Sequence, residues 1–319
     1  MRLAFGAFWR MIVSVSRRTD VPAFYAEWFF ARLKAGRVLV RNPMNARFYS
    51  DVPLTPDSVD AFVFWSKNPA PLFEQIERLC DYSFYFQFTL NPYDSSIETN
   101  LPDKSRFLAP LFLKMADKLG PERVLWRYDP IIFTTEFTLD WHLFHFESLA
   151  RRLKGATRRC TISFLDSYRK IQKVLTLLGV ISPDRYDLAT FLKRLQEIAL
   201  DNGMRLVTCA EGEWLRQYCE LPAGACVDSE ILSSIAGKTL TVTKDHNQRC
   251  DCGCSESVDI GAYDSCLHGC LYCYANSSRK RIERNLAQFR SDGVALCSEP
   301  RPGDCIREYR RKTQGDGAI

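Results

Sequence analysis

The stretch DSCLHGCLYCYAN, residues 264–276, contains a C-x3-C-x2-C array formed by Cys266, Cys270 and Cys273. Three thiolates at this spacing in one loop can bind three irons of a cubane cluster and leave the fourth iron without a protein ligand, because four cysteines would occupy every iron. A structural zinc ion needs a fourth protein ligand, and neither His268 nor Cys254 stands at the usual paired spacing. The array therefore predicts a 4Fe-4S cluster with an open iron. Half of a zinc ribbon, or ordinary reduced thiols, is the alternative.

The segment CLHGCLYCYAN resembles the cysteine motif of the radical S-adenosylmethionine superfamily. It is similar to the motif of the branch that includes spore photoproduct lyase. This resemblance implies that the open iron chelates the methionine end of S-adenosylmethionine and that reductive cleavage yields a 5'-deoxyadenosyl radical. It also implies that Tyr272 packs beside the adenine, and that an electron donor such as a flavodoxin or a ferredoxin serves the cluster. The substrate is unknown.

Phrases along the whole chain resemble those of DUF1848, a family of bacterial and archaeal proteins of unknown function. They are SVSRRTDVPAFY, VLVRNP, FWSKNP, YFQFTLNPY, GPERVLWRYDPII, CAE and VDIGAYDSCLHGCLYCYAN. The resemblance runs over about residues 11–276 and implies a family without an established reaction. Residues 1–10 precede its usual start and are interpreted as an N-terminal extension, with a misassigned initiation site as the alternative.

Strands and helices alternate along residues 11–295, which predicts an α/β fold with a parallel sheet buried on both faces. The predicted strands are 12–16, 38–40, 61–65, 84–89, 124–127, 161–164, 205–208 and 257–260. This pattern predicts a partial or complete TIM-like barrel as a single domain. The last residues, 296–319, are interpreted as a loose tail.

The cysteine loop comes last in this chain, within a cysteine-rich segment at 250–276. The N-terminal strands resemble the second, third and fourth strands of the photoproduct lyase branch, in which the cysteine loop follows the first strand. We therefore predict a circularly permuted barrel with its cluster-binding strand and loop at the C-terminus. Strand 257–260 should then lie parallel to strand 12–16 and next to it.

Polar residues follow most predicted strands, and the carboxyl ends of parallel strands converge on the mouth of a barrel. The candidates for catalytic roles are Arg17, Arg18, Lys67, Arg127 and Asp129. The candidates for cofactor binding are Tyr272, Thr89, Ser163 and Asp166. A cofactor carboxylate needs a cation or hydroxyl, for which Lys67, Thr89 and Arg127 are suited, and a ribose diol needs an acceptor. Asp129, Ser163 or Asp166 would supply that acceptor.

Alternatives remain open at these strand ends. Asp20 and Asp166 serve equally well as helix caps. The strand ends also include Arg41 and Asn42, and the excess of cations over acids favours an anionic substrate. The alternative is that the cations offset the negative charge of a thiolate-ligated cluster.

Four further cysteines can fully ligate an auxiliary cluster, and they are Cys209, Cys226, Cys252 and Cys254. The resemblance to DUF1848 retains these positions. These positions therefore predict a second iron-sulfur cluster. The alternatives are a zinc site or unligated thiols, and the metal content of the protein distinguishes the three.

Composition restricts the class of protein. The chain has 319 residues, 13 cysteines and a formal net charge of +5, and its apolar runs are short, so we expect a cytoplasmic protein with reduced thiols and no membrane span. The basic runs SSRKRIER and REYRRK are typical of solvated faces, with nucleic-acid contact as the alternative. No phosphate-binding glycine loop or nucleophile elbow is present, which argues against kinases and hydrolases.

The sequence thus predicts a radical S-adenosylmethionine enzyme. Two functions from other classes stay open. A non-catalytic protein that binds zinc or nucleic acid could use the same cysteines, and an iron-sulfur electron-transfer protein would bind iron without the cofactor.

Overall fold

The computed structural model describes residues 10–166, 171–212, 215 and 220–309. Its strands are β1 Met11–Val15, β2 Arg37–Arg41, β3 Phe48–Pro53, β4 Val59–Ser66, β5 Phe84–Thr89, β6 Val124–Ile131, β7 Arg159–Phe164, β8 Arg205–Cys209, β9 Ala223–Gly224, β10 Val258–Asp259 and β11 Cys305–Glu308. Eight of them form one sheet in the order β10-β1-β4-β5-β6-β7-β8-β9. Every neighbouring pair in this sheet is parallel. The sheet curls into a half-barrel, which confirms the predicted fold class.

The helices lie between these strands. They are α1 Val21–Phe24, α2 Ala26–Ala35, α3 Ala70–Phe73, α4 Ala109–Leu119, α5 Leu139–Arg152, α6 Gln172–Leu177, α7 Arg185–Asp201, α8 Ser229–Ala236 and α9 Arg279–Leu286. The helical stretch 104–119 has two parts, a π turn over Lys104–Leu108 and then α4, with Pro110 in the first turn of α4. Proline suits that position, where the missing N–H would have no helical partner. None of the described helices is both long and apolar enough to cross a membrane.

Side chains of the half-barrel alternate between two cores. Val13, Phe62 and Phe86 belong to the large core between the sheet and the helices. Their chain neighbours Ile12 and Val63 face the concave side, where they pack with residues of the segment between β9 and β10. We call this segment, residues 225–257, the covering segment. It lies against the inside of the half-barrel, so both faces of the sheet are buried, as the continuous apolar strands predict.

The pairing of β10 with β1 confirms the predicted neighbour relation. Val13 pairs with Val258 and Ser14 pairs with Asp259, in parallel. The chain that follows β10 therefore emerges at the same edge as the ends of β1, β4, β5 and β6. The cysteine loop consequently lies at the mouth of the half-barrel, by which we mean the carboxyl ends of its parallel strands.

Strand β2 differs from the prediction, because it belongs to a second sheet with the order β11-β3-β2. β2 pairs antiparallel with β3 across a short connection, 42–47, whereas a parallel neighbour would need a longer crossover. Arg41 and Asn42 are therefore not among the residues that line the cavity at the mouth.

The C-terminal segment also differs from the expected loose tail over residues 296–309. Strand β11 pairs in parallel with β3, and Leu296 and Cys297 are buried in the large core. The proline and glycine of EPRPGD lie in a turn that leads from this buried stretch into β11 rather than in a free end. Residues 310–319 lie outside the described part, as do residues 1–9 of the predicted N-terminal extension.

The backbone after β10 passes close to the Ser16 side chain, directly after β1. A Cβ atom at Gly261 would lie 2.1 Å from Ser16 Oγ and 2.6 Å from Ser16 Cβ. Asp259 holds the two segments together, since its carboxylate accepts from Ser16 Oγ at 2.6 Å and from the Arg17 backbone N–H at 2.7 Å. Only glycine fits at this position without displacing Ser16.

We expect Gly261→Ala to lower the free energy of unfolding by about 2 kcal/mol, because the added methyl group overlaps Ser16. Chemical denaturation followed by circular dichroism measures the change. Ser16→Gly removes both overlapping atoms, so the double variant should be less destabilised than the sum of the two single variants. Strictly additive effects would contradict the contact.

Candidate functional site

A cavity of about 690 Å³ opens at the mouth of the half-barrel. All sixteen residues that the sequence predicts for the cluster, the cofactor, the catalytic roles and the auxiliary site line it. They are Arg17, Arg18, Lys67, Thr89, Arg127, Asp129, Ser163, Asp166, Cys209, Cys226, Cys252, Cys254, Cys266, Cys270, Tyr272 and Cys273. The cavity therefore brings together residues that lie as far apart in the chain as β1 and the cysteine loop.

The cysteine loop is fixed by the segment that follows β5. Asn100 donates its backbone N–H to the His268 carbonyl at 2.9 Å and its side-chain amide to the Leu267 carbonyl at 2.8 Å. The Leu271 N–H donates to the Ile97 carbonyl at 3.0 Å. Gly269 has a φ of +70°, which a residue with a Cβ rarely adopts. The loop thus has a defined shape before any ligand binds.

The three thiols of this loop are half-buried. Burial raises the pKa of Cys270 to about 12, although the nearby Lys67 ammonium opposes the shift. Burial likewise raises the pKa of Cys266 well above its ordinary value, while the His268 N–H donates to its sulfur. Thiolates in such a place need the positive charge of a metal to replace the proton. The donor set, three cysteines facing one cavity, suits a cluster with one open iron.

In the described ranges, no group of three or more His, Cys, Asp and Glu side chains forms a ready-made site for one metal ion. A cubane cluster makes a different demand on its ligands, because each thiolate binds its own iron and the sulfur atoms are spread round a larger core. The sulfurs of the loop need only reach the same core, not a common point.

Glu98 is the centre of a buried network that the sequence did not predict. Its carboxylate accepts from Lys67 Nζ at 2.7 Å, and also from Lys104 Nζ and the Tyr272 hydroxyl. Burial alone would raise the pKa of Glu98, but the two ammonium groups hold it at about 2. Asn91 lies in the same network and donates to the Tyr272 hydroxyl at 3.3 Å. Tyr272, which lines the cavity, is therefore held by its hydroxyl.

Asp20 links the first helix to the cysteine loop. Its carboxylate accepts from the Ala23 N–H, so it caps α1 as the alternative interpretation proposed. It also accepts from the Ser66 hydroxyl at 2.7 Å and bonds to His268 Nε2 at 2.7 Å. The other ring nitrogen of His268, Nδ1, is buried without a partner in the described structure. Asp20 therefore acts on the cysteine loop through His268 rather than by direct contact with the cavity centre.

Arg127, Asp129 and Ser163 form a group on the ends of β6 and β7. The Asp129 carboxylate accepts from the Arg127 guanidinium and from the Ser163 hydroxyl. Arg127 Nη1 also donates to Cys226 Sγ at 2.7 Å. Burial alone would lower the pKa of Arg127, but Asp129 and the nearby thiols raise it well above its ordinary value. The guanidinium is thus a fixed cation between a carboxylate and a thiol.

The far side of the mouth carries two more acids. Asp166 forms an ion pair with Arg249 at 2.5 Å, and their side chains are 42% and 47% exposed. Glu211, at the end of β8, accepts from the Phe164 N–H at 2.8 Å. Burial raises the pKa of Glu211 to about 7. Thr89 is the last residue of β5 and pairs with Arg127 in the sheet.

Positive and negative side chains balance in the cavity lining. The cations are Arg17, Arg18, Lys67, Arg127 and Arg249, and the carboxylates are Asp20, Asp129, Asp166, Asp245 and Asp259. Each of the five cations lies within 3.8 Å of a carboxylate oxygen. The excess of cations inferred from the strand ends does not extend to the whole cavity, because Asp245 comes from the covering segment and Asp259 from β10.

Two further features lie away from the cavity. The basic run SSRKRIER reaches into α9, in which no residue is buried. His142 is fully buried in the aromatic core, where it bonds to the Tyr128 hydroxyl at 2.8 Å and to the Ile132 carbonyl at 2.9 Å. Neither feature belongs to the cavity lining.

Fold and cavity together define a parallel α/β half-barrel protein with a cysteine-rich cavity at the carboxyl ends of its strands. The chain belongs to the family described as domain of unknown function DUF1848, whose model matches residues 12–275. This match confirms the resemblance drawn from the recurring phrases. A comparison with curated proteins gives no match.

Replacing Glu98 by glutamine tests the network that holds Tyr272 and Lys67. The folded-state pKa of about 2 lies below the ordinary value of 4.5, so the stabilisation is complete above pH 4.5 and is lost as the pH falls toward 2. We expect Glu98→Gln to lower the free energy of unfolding at pH 7 by about 3 kcal/mol. The difference in the free energy of unfolding between the variant and the wild type should decrease as the pH falls from 4.5 toward 2.

Denaturant titrations between pH 7 and pH 3 measure this difference. Glu147→Gln is the matched control, because Glu147 pairs with Arg151 on the exposed face of α5. An exposed pair of this kind contributes about 0.5 kcal/mol or less. Equal effects of the two variants would contradict the role assigned to Glu98.

Proposed function

We propose that this protein is a radical S-adenosylmethionine enzyme, with Cys266, Cys270 and Cys273 as the ligands of a 4Fe-4S cluster. When bound, the cluster and S-adenosylmethionine supply a 5'-deoxyadenosyl radical that removes a hydrogen atom from a substrate. One observation carries the proposal. Three thiols of a single loop open on the same cavity as every cofactor candidate, at the carboxyl ends of a parallel half-barrel, where enzymes of such folds build their sites.

The chain's own side chains suit the two polar ends of the cofactor. Lys67 Nζ has three donors, of which Glu98 and the Tyr272 hydroxyl take two, so one remains for a carboxylate. Asp129 is held by Arg127 and Ser163 but keeps unused lone pairs, which can accept from a ribose hydroxyl. Both groups are held in place by neighbours, so little conformational entropy is lost on binding.

The cavity can exchange one of its ion pairs for a substrate group. Arg127 and Lys67 lie in buried pairs, and separating such a pair leaves an uncompensated charge. The Arg249–Asp166 pair is nearly half exposed, and exposed pairs contribute little to stability. An anionic substrate group would therefore displace Asp166 from Arg249 with the smallest loss. The proposed substrate is therefore anionic, and its anionic group contacts the Arg249 guanidinium.

The proposed cofactor needs reduced thiols and an external electron donor, for which a flavodoxin or a ferredoxin has suitable chemistry. Among the described cysteines, none is in a disulfide. Free thiols fit the predicted cytoplasmic location, where reducing conditions keep cysteines available for metals.

Cluster content and cofactor cleavage test the proposal. The protein is reconstituted anaerobically with iron and sulfide, reduced, and incubated with S-adenosylmethionine, and 5'-deoxyadenosine is measured by chromatography. We expect about four irons at the loop and deoxyadenosine production in the wild type. Cys270→Ala should abolish production, because the cluster loses a ligand.

Cys80→Ala is the matched control, since Cys80 is exposed and lies outside the cavity lining. It should leave deoxyadenosine production unchanged. Undiminished production in Cys270→Ala would refute the assignment. Iron without cofactor cleavage in the wild type would favour the electron-transfer alternative, and a colourless protein with zinc alone would favour the non-catalytic one.

A further inference from the structure

Two of the upstream cysteines lie in direct contact. Cys209 Sγ is 3.0 Å from Cys226 Sγ, and neither thiol is in a disulfide. We propose that this pair is a redox-active dithiol, which a small hydroperoxide entering the cavity oxidises to an intramolecular disulfide and a dithiol reductant restores. The proposal does not rest on the proposed enzymatic function, because neither thiol belongs to the cysteine loop.

The distance between the two sulfur atoms suits bond formation. A disulfide bond is about 2.05 Å long, so the sulfurs need to approach by only about 1 Å. Cys209 is the last residue of β8, and it pairs in the sheet with Gly224, which lies just before Cys226 in the chain. Sheet pairing therefore fixes the two chain segments beside each other. In the described ranges, no group of three or more His, Cys, Asp and Glu side chains could hold a metal ion, so we interpret the contact as that of a dithiol.

Both thiols can be reached from the cavity, but only by a small oxidant. Cys209 and Cys226 line the cavity of about 690 Å³ at the mouth of the half-barrel. Cys209 is half-buried, whereas Cys226 is only 3% exposed. A small hydroperoxide presents one oxygen atom to the sulfur. A disulfide oxidant instead forms a mixed disulfide, which has to fit in the same space. Burial of Cys226 therefore favours the hydroperoxide.

A fixed cation distinguishes the two sulfurs. Arg127 Nη1 donates to Cys226 Sγ at 2.7 Å, and Arg127 Nε donates to the Asp129 carboxylate at 3.0 Å. The guanidinium is thus held in place beside the sulfur. A cation at hydrogen-bond distance stabilises the thiolate, which is the nucleophilic form of cysteine. We therefore assign the attack on the hydroperoxide to Cys226 and the second step to Cys209.

The reaction balances with these two thiols and one hydroperoxide. The Cys226 sulfur attacks an oxygen atom, the O–O bond breaks, and the sulfur becomes a sulfenic acid. The hydroxide or alkoxide that leaves takes up the proton that Cys226 released. The Cys209 sulfur then attacks the Cys226 sulfur, the S–S bond forms, and the hydroxyl group leaves with the Cys209 proton as water. Two electrons pass to the hydroperoxide, and a dithiol reductant returns them by thiol–disulfide exchange.

The disulfide would change one wall of the cavity. Cys209 belongs to the sheet and Cys226 to the covering segment, so the bond ties the two together covalently. Oxidation also leaves the Cys226 sulfur without negative charge. Arg127 Nη1, which donates to this sulfur in the reduced protein, then becomes available to an anionic group in the cavity.

Peptide mapping of the full chain tests the proposal. The chain is reduced, desalted anaerobically with a chelator present, and treated with equimolar hydrogen peroxide. Remaining thiols are blocked, and the chain is digested with trypsin and a glutamate-specific protease. Cys209 is then the only cysteine of peptide 206–211, and Cys226 is the only one of peptide 221–230.

We expect mass spectrometry to find these two peptides joined, and to find them separate after a dithiol reductant is added. Peptides that stay separate after oxidation would overturn the proposal. Linkage of peptide 221–230 to the peptide of Cys252 and Cys254 would overturn it as well. Deoxyadenosine production does not enter these readouts, so failure of the enzymatic proposal leaves them unaffected.

Variants and a second oxidant test the assigned chemistry. In Cys209→Ser, oxidation should stop at a sulfenic acid on peptide 221–230, which dimedone traps, and absence of this adduct from the folded variant would contradict the attack by Cys226. Cys80→Ser is the matched control, since Cys80 is exposed and outside the cavity lining, and it should form the disulfide as the wild type does. Oxidised glutathione should form the bond about tenfold more slowly than hydrogen peroxide. Equal rates would contradict a hydroperoxide as the oxidant.

Discussion

The Asp259 carboxylate is the contact on which the arrangement of the cavity depends. It accepts from Ser14, Ser16 and the Arg17 backbone, residues that lie more than 240 positions away in the chain. Closing so long a loop costs conformational entropy, which grows only slowly with length. Burial of β10 beside β1 and the bonds to one carboxylate offset that cost. This pairing places the start of the cysteine loop beside the end of β1, and the bonds to residues 97–100 fix the rest of the loop beside the end of β5.

Two sets of cysteines share one cavity but differ in their surroundings. The loop set is fixed by backbone bonds to residues 97–100 and lies near the Glu98 network. In the second set, Cys209 Sγ and Cys226 Sγ are 3.0 Å apart, and Cys226 and Cys254 receive donors from a guanidinium and two backbone N–H groups. The two sets therefore differ in what fixes them, which is a neighbouring loop for the first and a buried cation with backbone donors for the second.

Much of this arrangement could be predicted from the sequence, for physical reasons. Continuous apolar strands identified the parallel sheet, and convergence of carboxyl ends brought Arg17, Lys67 and Arg127 to one cavity. Strand β2 was assigned to the wrong sheet, because an apolar run does not indicate which strand it pairs with. The short connection to β3 determines the antiparallel pairing of β2. Glu98 and Asn91 could not be found, because they lie in an irregular segment where a buried acid has no periodic signal. The contact between Cys209 and Cys226 was equally hidden, since spacing alone does not give sulfur distances.

The openness of the sheet explains why the covering segment needs fastening. The edge strands β9 and β10 have two residues each, so the sheet does not close and its concave face would be exposed. The covering segment fills this space with Val227, Leu232 and Leu240, but its longest regular element is α8, which has eight residues. A wall made largely of irregular chain can exclude water from a cavity only where fixed points hold it. The Cys226 carbonyl is such a point, because it accepts from Tyr85 Oη at 2.5 Å and from Gln87 Nε2 at 2.9 Å on the concave face of β5.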